Sequence, residues 1–290
     1  EKRIRRRIRS DGLMGDATSE DPATWVVGLS GGKDSVVLAT VLSETFAADP
    51  RVELVALTIH EGIEGYRDAS LEACQELVAS LEIPHKTVSY ADEFGIRMDD
   101  VAAVDPENMA PCAYCGVFRR DVLERYAERL DANLLFTGHN LDDEAQTALM
   151  NLFEGDVTQM AKHFDASLGP LPERVETMDF VPRAKPLRDV PEKEVALYAH
   201  LRDLPAHMAT CPHASEAYRG EVRDLLLSME EDHPGTRHSI MAGYEDLAAL
   251  AAEKYRRDVD QDITACEKCG TPTTGDRCRK CALLASIEAA

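Results

Sequence analysis

Ser30-Gly31-Gly32-Lys33-Asp34-Ser35 concentrates more chemistry than any other stretch of this chain. A short apolar run, Val26 to Leu29, precedes it, and a helical pattern follows at once. That order reads as buried strand, tight turn and helix start. The glycines let the backbone bend sharply and approach a ligand closely. Amides at a helix N-terminus attract anions. Lys33 adds a point charge, and Ser30 and Ser35 add hydroxyls. The expected ligand is a phosphate chain. The spacing is not the Gly-x4-Gly-Lys-Ser/Thr loop. The competing reading is a plain glycine turn, and the Ser, Lys, Asp and Ser around the glycines weigh against it.

A second stretch, Thr137-Gly138-His139-Asn140-Leu141-Asp142-Asp143-Glu144-Ala145-Gln146, lies between a strand end and a helix start. Asn140 or Asp142 can cap that helix. Capping and helix-dipole charge alone would explain the acids. Their place at a strand end points instead to a nucleotide, with carboxylates such as Asp143 near its magnesium or near the substrate.

The eight cysteines fall mostly in tight pairs, and no secretion signal accompanies them. Cys266 with Cys269 and Cys278 with Cys281 form two Cys-x2-Cys knuckles. Their spacing suits four thiolates around a structural zinc, and four protein ligands leave no open position for catalysis. Cys112 and Cys115 open a helix without a second knuckle nearby, and Cys211 stands apart before Pro212-His213. Spacing leaves four readings open for these three. They are a three-thiolate seat for an iron–sulfur cluster with one iron free, a redox pair with a resolving cysteine, zinc completed by His213, or cysteines without function. Cys74 reads as a small core residue on a helix.

These residues need a scaffold. Strands are expected at Trp25–Leu29, Val52–Ile59, His85–Ser89 and Asn133–Thr137. Helices are expected at Asp34–Ala47, Arg67–Leu81 and Leu141–Phe153. Their alternation argues for a parallel sheet with right-handed crossovers. Ligands then sit at the carboxyl ends of the strands, where the glycine loop lies and where His60 follows the second strand. Strand signals fade after Gly155. Phe180–Leu187 reads as an irregular or edge segment, and Val190–Leu204, Glu216–Glu231 and Ile240–Tyr255 as helices. The expected fold is α/β, a doubly wound, Rossmann-like parallel sheet with C-terminal helices and a small zinc ribbon. Its parts are a basic arm and linker (1–22), a catalytic domain (23–262) and a zinc module (263–290).

The whole chain of 290 residues carries 53 acidic against 32 basic side chains, a net charge of −21. Such an excess suits a salt-rich cytoplasm, where screening suppresses self-repulsion. No apolar run is long enough for a membrane span. Residues 2–9 nevertheless hold six positive charges, with Ile4 and Ile8 one helical turn apart. This segment reads as a phosphate-gripping arm for RNA, with a solvated amphipathic helix as the alternative.

Taken together, several motifs resemble one family. They are the Ser30–Ser35 loop, Glu61-Gly62-Ile63 with Gly65-Tyr66-Arg67, and Cys112-x2-Cys115-Gly116 followed by Arg119-Arg120. Gly138-His139-Asn140-x-Asp142-Asp143-x-Ala145-Gln146, Arg183-x-Lys185-Pro186-Leu187, Cys211-Pro212 and the cysteine tail complete the set. They are similar to the TtuA/NcsA-type tRNA 2-thiouridine synthetases of the PP-loop ATP pyrophosphatase superfamily. The resemblance implies an enzyme that adenylates the C2 oxygen of a tRNA uridine with ATP, the wobble uridine being expected. Sulfur from a ubiquitin-like thiocarboxylate carrier then displaces AMP. It implies ATP and magnesium on Ser30, Gly31, Gly32, Lys33, Asp34, Ser35, His60, Gly138 and Asp143. It also implies a 4Fe-4S cluster on Cys112, Cys115 and Cys211, and zinc on the tail. Lys33, Asp34, Asp143, Cys112 and Cys211 are the implied catalytic set. The implied setting is cytoplasmic, with tRNA and the carrier as partners, no membrane, and room for a homodimer. Rival expectations are T-loop uridine or cytidine thiolation, and a non-catalytic RNA-binding scaffold. Two departures stand out. Family members begin with a cysteine/histidine zinc module, which is expected to precede Glu1 in a longer protein. Many of them also carry lysine where Arg119 stands.

Overall fold

The computed structural model describes residues 1–165, 180–216, 218–258 and 264–290. Its central sheet contains β1 (Ala23–Gly28), β2 (Val52–His60), β3 (His85–Ser89), β4 (Leu134–Phe136) and β5 (Arg183–Ala184), in the order β3-β2-β1-β4-β5. Every pairing is parallel. The chain winds outward from β1 through β2 to β3, then returns to place β4 on the other side of β1. The crevice between β1 and β4 is therefore the switch point where such sheets bind ligands.

The helices in order are α1 (Lys2–Ser10), α2 (Lys33–Phe46), α3 (Tyr66–Leu81), α4 (Tyr90–Phe94), α5 (Met98–Val104) and α6 (Pro111–Arg129). They continue with α7 (Leu141–Phe153), α8 (Val157–Asp165), α9 (Glu192–Leu201), α10 (Arg219–Asp232), α11 (Thr236–Asp258) and α12 (Arg279–Ala289). An antiparallel ribbon, β6 (Thr264–Ala265) with β7 (Pro272–Thr273), precedes α12.

Side chains alternate across a strand, and β1 divides its residues accordingly. Trp25 and Val27 join the core formed with α2, α3 and α9. Val26 joins the opposite core with Tyr90, Tyr114 and Phe118. Leu141, Ala145 and Ala148 of α7 instead face a third core built with α8, α10 and α11. On the second core, Leu283 of α12 is buried, and Lys280 at the start of that helix meets Asp121 of α6 at 2.7 Å. The cysteine tail is thus docked on the helix that begins with Pro111-Cys112.

The strands of the sheet and the helices α2, α3 and α7 fall within a residue or two of their expected places, whereas α9 ends at Leu201 rather than Leu204, α10 starts at Arg219 rather than Glu216, and α11 runs Thr236–Asp258 rather than Ile240–Tyr255. The short helices α4 and α5 and the helix α8 were not expected. At α4, Ser89 both ends β3 and caps the next turn, its hydroxyl accepting from the Asp92 amide at 3.0 Å. The Phe180–Leu187 segment resolves into the two-residue edge strand β5, bounded by Pro182 and Pro186, which cannot donate to a ladder. Ile4 and Ile8 of α1 are buried in the same core as Trp25. Residues 10–22 do not run free either, since Leu13, Met14 and Ala17 pack on that core. The expected boundary at 262–263 lies outside the described residues.

Candidate active site

The Ser30–Ser35 loop joins β1 to α2 at the carboxyl edge of the sheet. Gly31 has φ +82°, and a Cβ there would lie 2.3 Å from the Ser70 carbonyl oxygen. Only glycine fits both the left-handed backbone and the close approach. Hydroxyls hold the loop from within. The Ser30 amide donates to Ser35 Oγ at 3.1 Å, and Ser35 Oγ donates to the Gly32 carbonyl at 2.9 Å. Gly138, just past β4, presses on the start of α2, where an added Cβ would meet the Ser35 amide nitrogen at 2.9 Å. The absence of a side chain at Gly138 lets the two loops close on each other, and its absence at Gly31 lets the phosphate-type loop close on α3.

Lys33 Nζ donates to Asp34 Oδ2 at 2.9 Å and to Glu192 Oε1 at 2.7 Å. Burial alone would lower the Lys33 pKa, but these two carboxylates outweigh it and raise it, so the ammonium is firmly charged. Asn140 Nδ2 donates to Asp34 Oδ1 at 2.9 Å. The same side chain caps α7 through Oδ1, which accepts from the Asp142 and Asp143 amides. The Asn140 amide in turn donates to Asp143 Oδ2 at 3.1 Å. Desolvation pushes the Asp143 carboxyl up to about 6, and the nearby Asp34 and Glu192 charges push the same way. Asp34, Asp143 and Glu192 are a like-charged group beside a phosphate-type loop, the donor set that a hard cation favours. Asp142 faces elsewhere. It accepts the Glu192 amide at 2.7 Å and pairs with Arg237, tying α7 to α9 and α11. His139 is solvent-reachable, yet desolvation on its flanks, with Lys185 close by, pulls its pKa down to about 4. His60, at the end of β2, accepts the Gly62 amide on Nδ1 at 3.3 Å and faces Asp68 through Nε2 at 3.1 Å.

An ionic string, buried at Arg67 and Glu61 and exposed at Arg119, runs from this loop to the cysteines. Arg67 is buried; its Nη1 donates to the Ser30 carbonyl at 3.0 Å, and its Nη2 bonds the Ile59 carbonyl. Its Nε meets Glu61 Oε2 at 2.5 Å. Buried Glu61 also meets Arg119 Nε at 3.3 Å, and Arg119 Nη2 donates to Cys115 Sγ at 3.0 Å. Removing one member of a buried ion pair costs about 3–5 kcal/mol, a cost that falls on Arg67–Glu61, while the Arg119 side chain, 51% exposed, carries the link on to Cys115.

Cys115 is buried, Cys112 exposed and Cys211 half-buried, and all three are free thiols. Cys112 Sγ contacts the His213 carbonyl at 3.6 Å, bringing the start of α6 onto the short 3-10 turn Pro212–Glu216 beside Cys211. Burial raises the Cys211 pKa, and the neighbouring Cys112 and Cys115 sulfurs raise it further. These three do not form a single-ion cage of the kind the tail makes, where the sulfurs of Cys266, Cys269, Cys278 and Cys281 lie within 4.8 Å of one another. Three thiols drawn together more loosely fit a group wider than one ion, such as an iron–sulfur cube. His213 is turned to Asp99, 2.9 Å away. Cys74 is fully buried and its pKa is raised by that burial, as a core residue.

Glu192 carried no sequence signal as a site residue, because an acid in the first turn of a helix is ordinary dipole compensation. Glu61, Arg67 and Arg119 were visible as motif members. Their connection through one carboxylate was not.

A family model described as a PP-loop domain matches residues 4–224. The tRNA 2-thiolation protein NcsA of Haloferax volcanii is 68% identical over 290 residues, covering 100% of this chain and 90% of that protein. The chain belongs to the PP-loop family of tRNA 2-thiolation proteins. The cytoplasmic tRNA 2-thiolation protein 1 of Aspergillus niger is 38% identical over 264 residues, covering 90% of this chain and 73% of its own. Among solved structures, the U34-tRNA thiolase NcsA of Methanococcus maripaludis, determined with its 4Fe-4S cluster, superposes with a TM-score of 0.78. It is 34% identical, covering 97% of this chain and 86% of that one. Family membership and the parallel α/β sheet agree with the motif reading. Among the described residues no helix is long and apolar enough to cross a membrane.

Proposed function

We propose that this chain catalyses ATP-dependent 2-thiolation of the wobble uridine of tRNA in the cytoplasm. The observation that supports the reading is the string Ser30–Arg67–Glu61–Arg119–Cys115, which links the phosphate loop to Cys115. The uridine C2 oxygen attacks the α-phosphorus of ATP, and pyrophosphate leaves. Sulfur then attacks C2, and the oxygen departs as AMP, a far better leaving group than a bare carbonyl oxygen. Ser30, Gly31, Gly32 and Ser35 hold the phosphate chain while Lys33 neutralises it. Asp34 and Asp143 hold magnesium. His60 and Gly138 bound the nucleotide pocket. Cys112, Cys115 and Cys211 hold a 4Fe-4S cluster, which when bound supplies an open iron for sulfide. The tail cysteines hold zinc, and a ubiquitin-like carrier with a C-terminal thiocarboxylate delivers sulfur. Residues 1–22, 23–262 and 263–290 are read as arm, catalytic domain and zinc module.

The test is mass analysis of tRNA nucleosides from cells lacking the protein, where wobble 2-thiouridine should vanish. Loss of T-loop 2-thiouridine or of 2-thiocytidine instead would reassign the target. In vitro, tRNA should stimulate pyrophosphate release from ATP; a scaffold would release none.

A further inference from the structure

We propose that Arg120, with Arg119 and Arg183 beside it, forms a seat for a phosphodiester of the RNA substrate next to Cys112 and Cys115. The inference rests on the proposed function and adds where the RNA backbone is held. Arg120 is exposed on α6 and has no carboxylate partner among the described residues, in a chain whose acids outnumber its bases by 53 to 32. Its neighbours are two further arginines whose own carboxylates are already engaged. Arg183 donates to the Arg120 carbonyl at 3.4 Å and is satisfied separately by Glu124 at 2.7 Å. Arg119 is likewise committed to Glu61 and Cys115.

Gly116 shows where the guanidinium lies. A Cβ added at that position would meet Arg120 Nη1 at 3.4 Å, and all three nearest atoms belong to the Arg120 guanidinium. The side chain is therefore folded back one turn along α6, over a residue flanked by Cys115. Desolvation lowers the Arg120 pKa, and the Arg183 and Arg119 charges lower it further, outweighing the Cys115 sulfur that raises it. With Arg183 and Arg119 beside it and no carboxylate partner among the described residues, the cation is under-compensated, and an incoming anion would be stabilised there.

RNA chemistry fits that vacancy. The phosphate loop and the cysteines must both reach C2 of one base, so the phosphates of that nucleotide lie within one nucleotide's length of Cys115. A planar guanidinium grips a phosphate through two parallel N–H bonds, and each such contact adds a released counterion to binding.

The experiment measures binding of an unmodified tRNA transcript to the wild-type protein, Arg120→Gln and Arg120→Lys as KCl is titrated. Arg120→Gln should weaken binding about tenfold at moderate salt and reduce the salt slope by about one. Arg120→Lys should restore the slope but only part of the affinity, since lysine keeps the charge and loses the fork. ATP affinity and the iron bound on anaerobic reconstitution should stay at wild-type levels. Unchanged tRNA affinity and slope in Arg120→Gln would overturn the seat. So would a loss of bound iron, which would make Arg120 a counter-ion of the thiolates. A defect seen with the thiocarboxylate carrier but not with inorganic sulfide would assign the seat to the carrier's terminus. If the wild-type protein itself neither binds tRNA nor thiolates it, the proposed function fails rather than this inference.

Discussion

Lys33 and Asp34 are one electrostatic unit with Glu192 and Asn140, so a change at either reaches its partners. Lys33→Ala and Asp34→Ala should each abolish tRNA-dependent pyrophosphate release while the circular dichroism spectrum stays unchanged. Near-normal release from either variant would remove the phosphate loop from the chemistry. Asn140 serves two masters: it caps α7 and orients Asp34. Asn140→Ala should cost about 1–2 kcal/mol through the lost cap, read as a lower urea midpoint. It should also weaken ATP binding, which a cap alone would not do.

At the scale of elements, the tail and the β3 edge make separate predictions. Cysteine-to-serine substitution at Cys266 or Cys281 should release about one zinc per chain, since an incomplete tetrahedral shell binds poorly. Because α12 is docked on α6, limited proteolysis should then cut within residues 264–290 faster than in the parent. Full zinc retention would disprove the ligand set. His85 on β3 accompanies a buried hydroxyl, with Nε2 2.8 Å from Thr58 Oγ1. Burial lowers its pKa below the ordinary 6.5. The fold therefore prefers neutral His85. Its contribution is intact above pH 6.5 and is lost as pH falls through that value toward the lower folded pKa. Denaturation midpoints at pH 7.5 and 5.5 should differ less in His85→Gln than in the parent; an equal drop would exclude His85 as a source.

Over the whole molecule, the basic first helix and the acidic surface pull in different directions. Ile4 and Ile8 are buried, and Arg3 and Arg7 pair with Glu194 and Asp189 near the start of α9. Ile8→Ala should therefore destabilise the fold by about 2–4 kcal/mol, measured by chemical denaturation. The exposed Lys2, Arg6 and Arg9 make no ion pair among the described residues. Neutralising these three should flatten the salt dependence of tRNA binding without that loss of stability. An unchanged salt slope would leave α1 a purely structural helix.

The sequence alone determined what depends on local order. Alternating apolar runs and helical patterns placed the strands and the nucleotide loop, because burial on both faces of a parallel sheet writes itself into neighbouring residues. Cys-x2-Cys spacing foretold the four-sulfur tail for the same reason, since its ligands sit on short turns. What joins residues distant in the chain was decided only by tertiary structure. Lys33 meets Glu192 across 159 positions, and Cys112 meets His213, in the turn after Cys211, across 101. Neither pairing leaves a periodic trace, because each partner alone looks like an ordinary surface charge or a lone thiol. The same holds for Arg120. Its type and its neighbour Arg119 were plain in the sequence, but only the fold placed Arg183 beside it and, among the described residues, left it without a carboxylate.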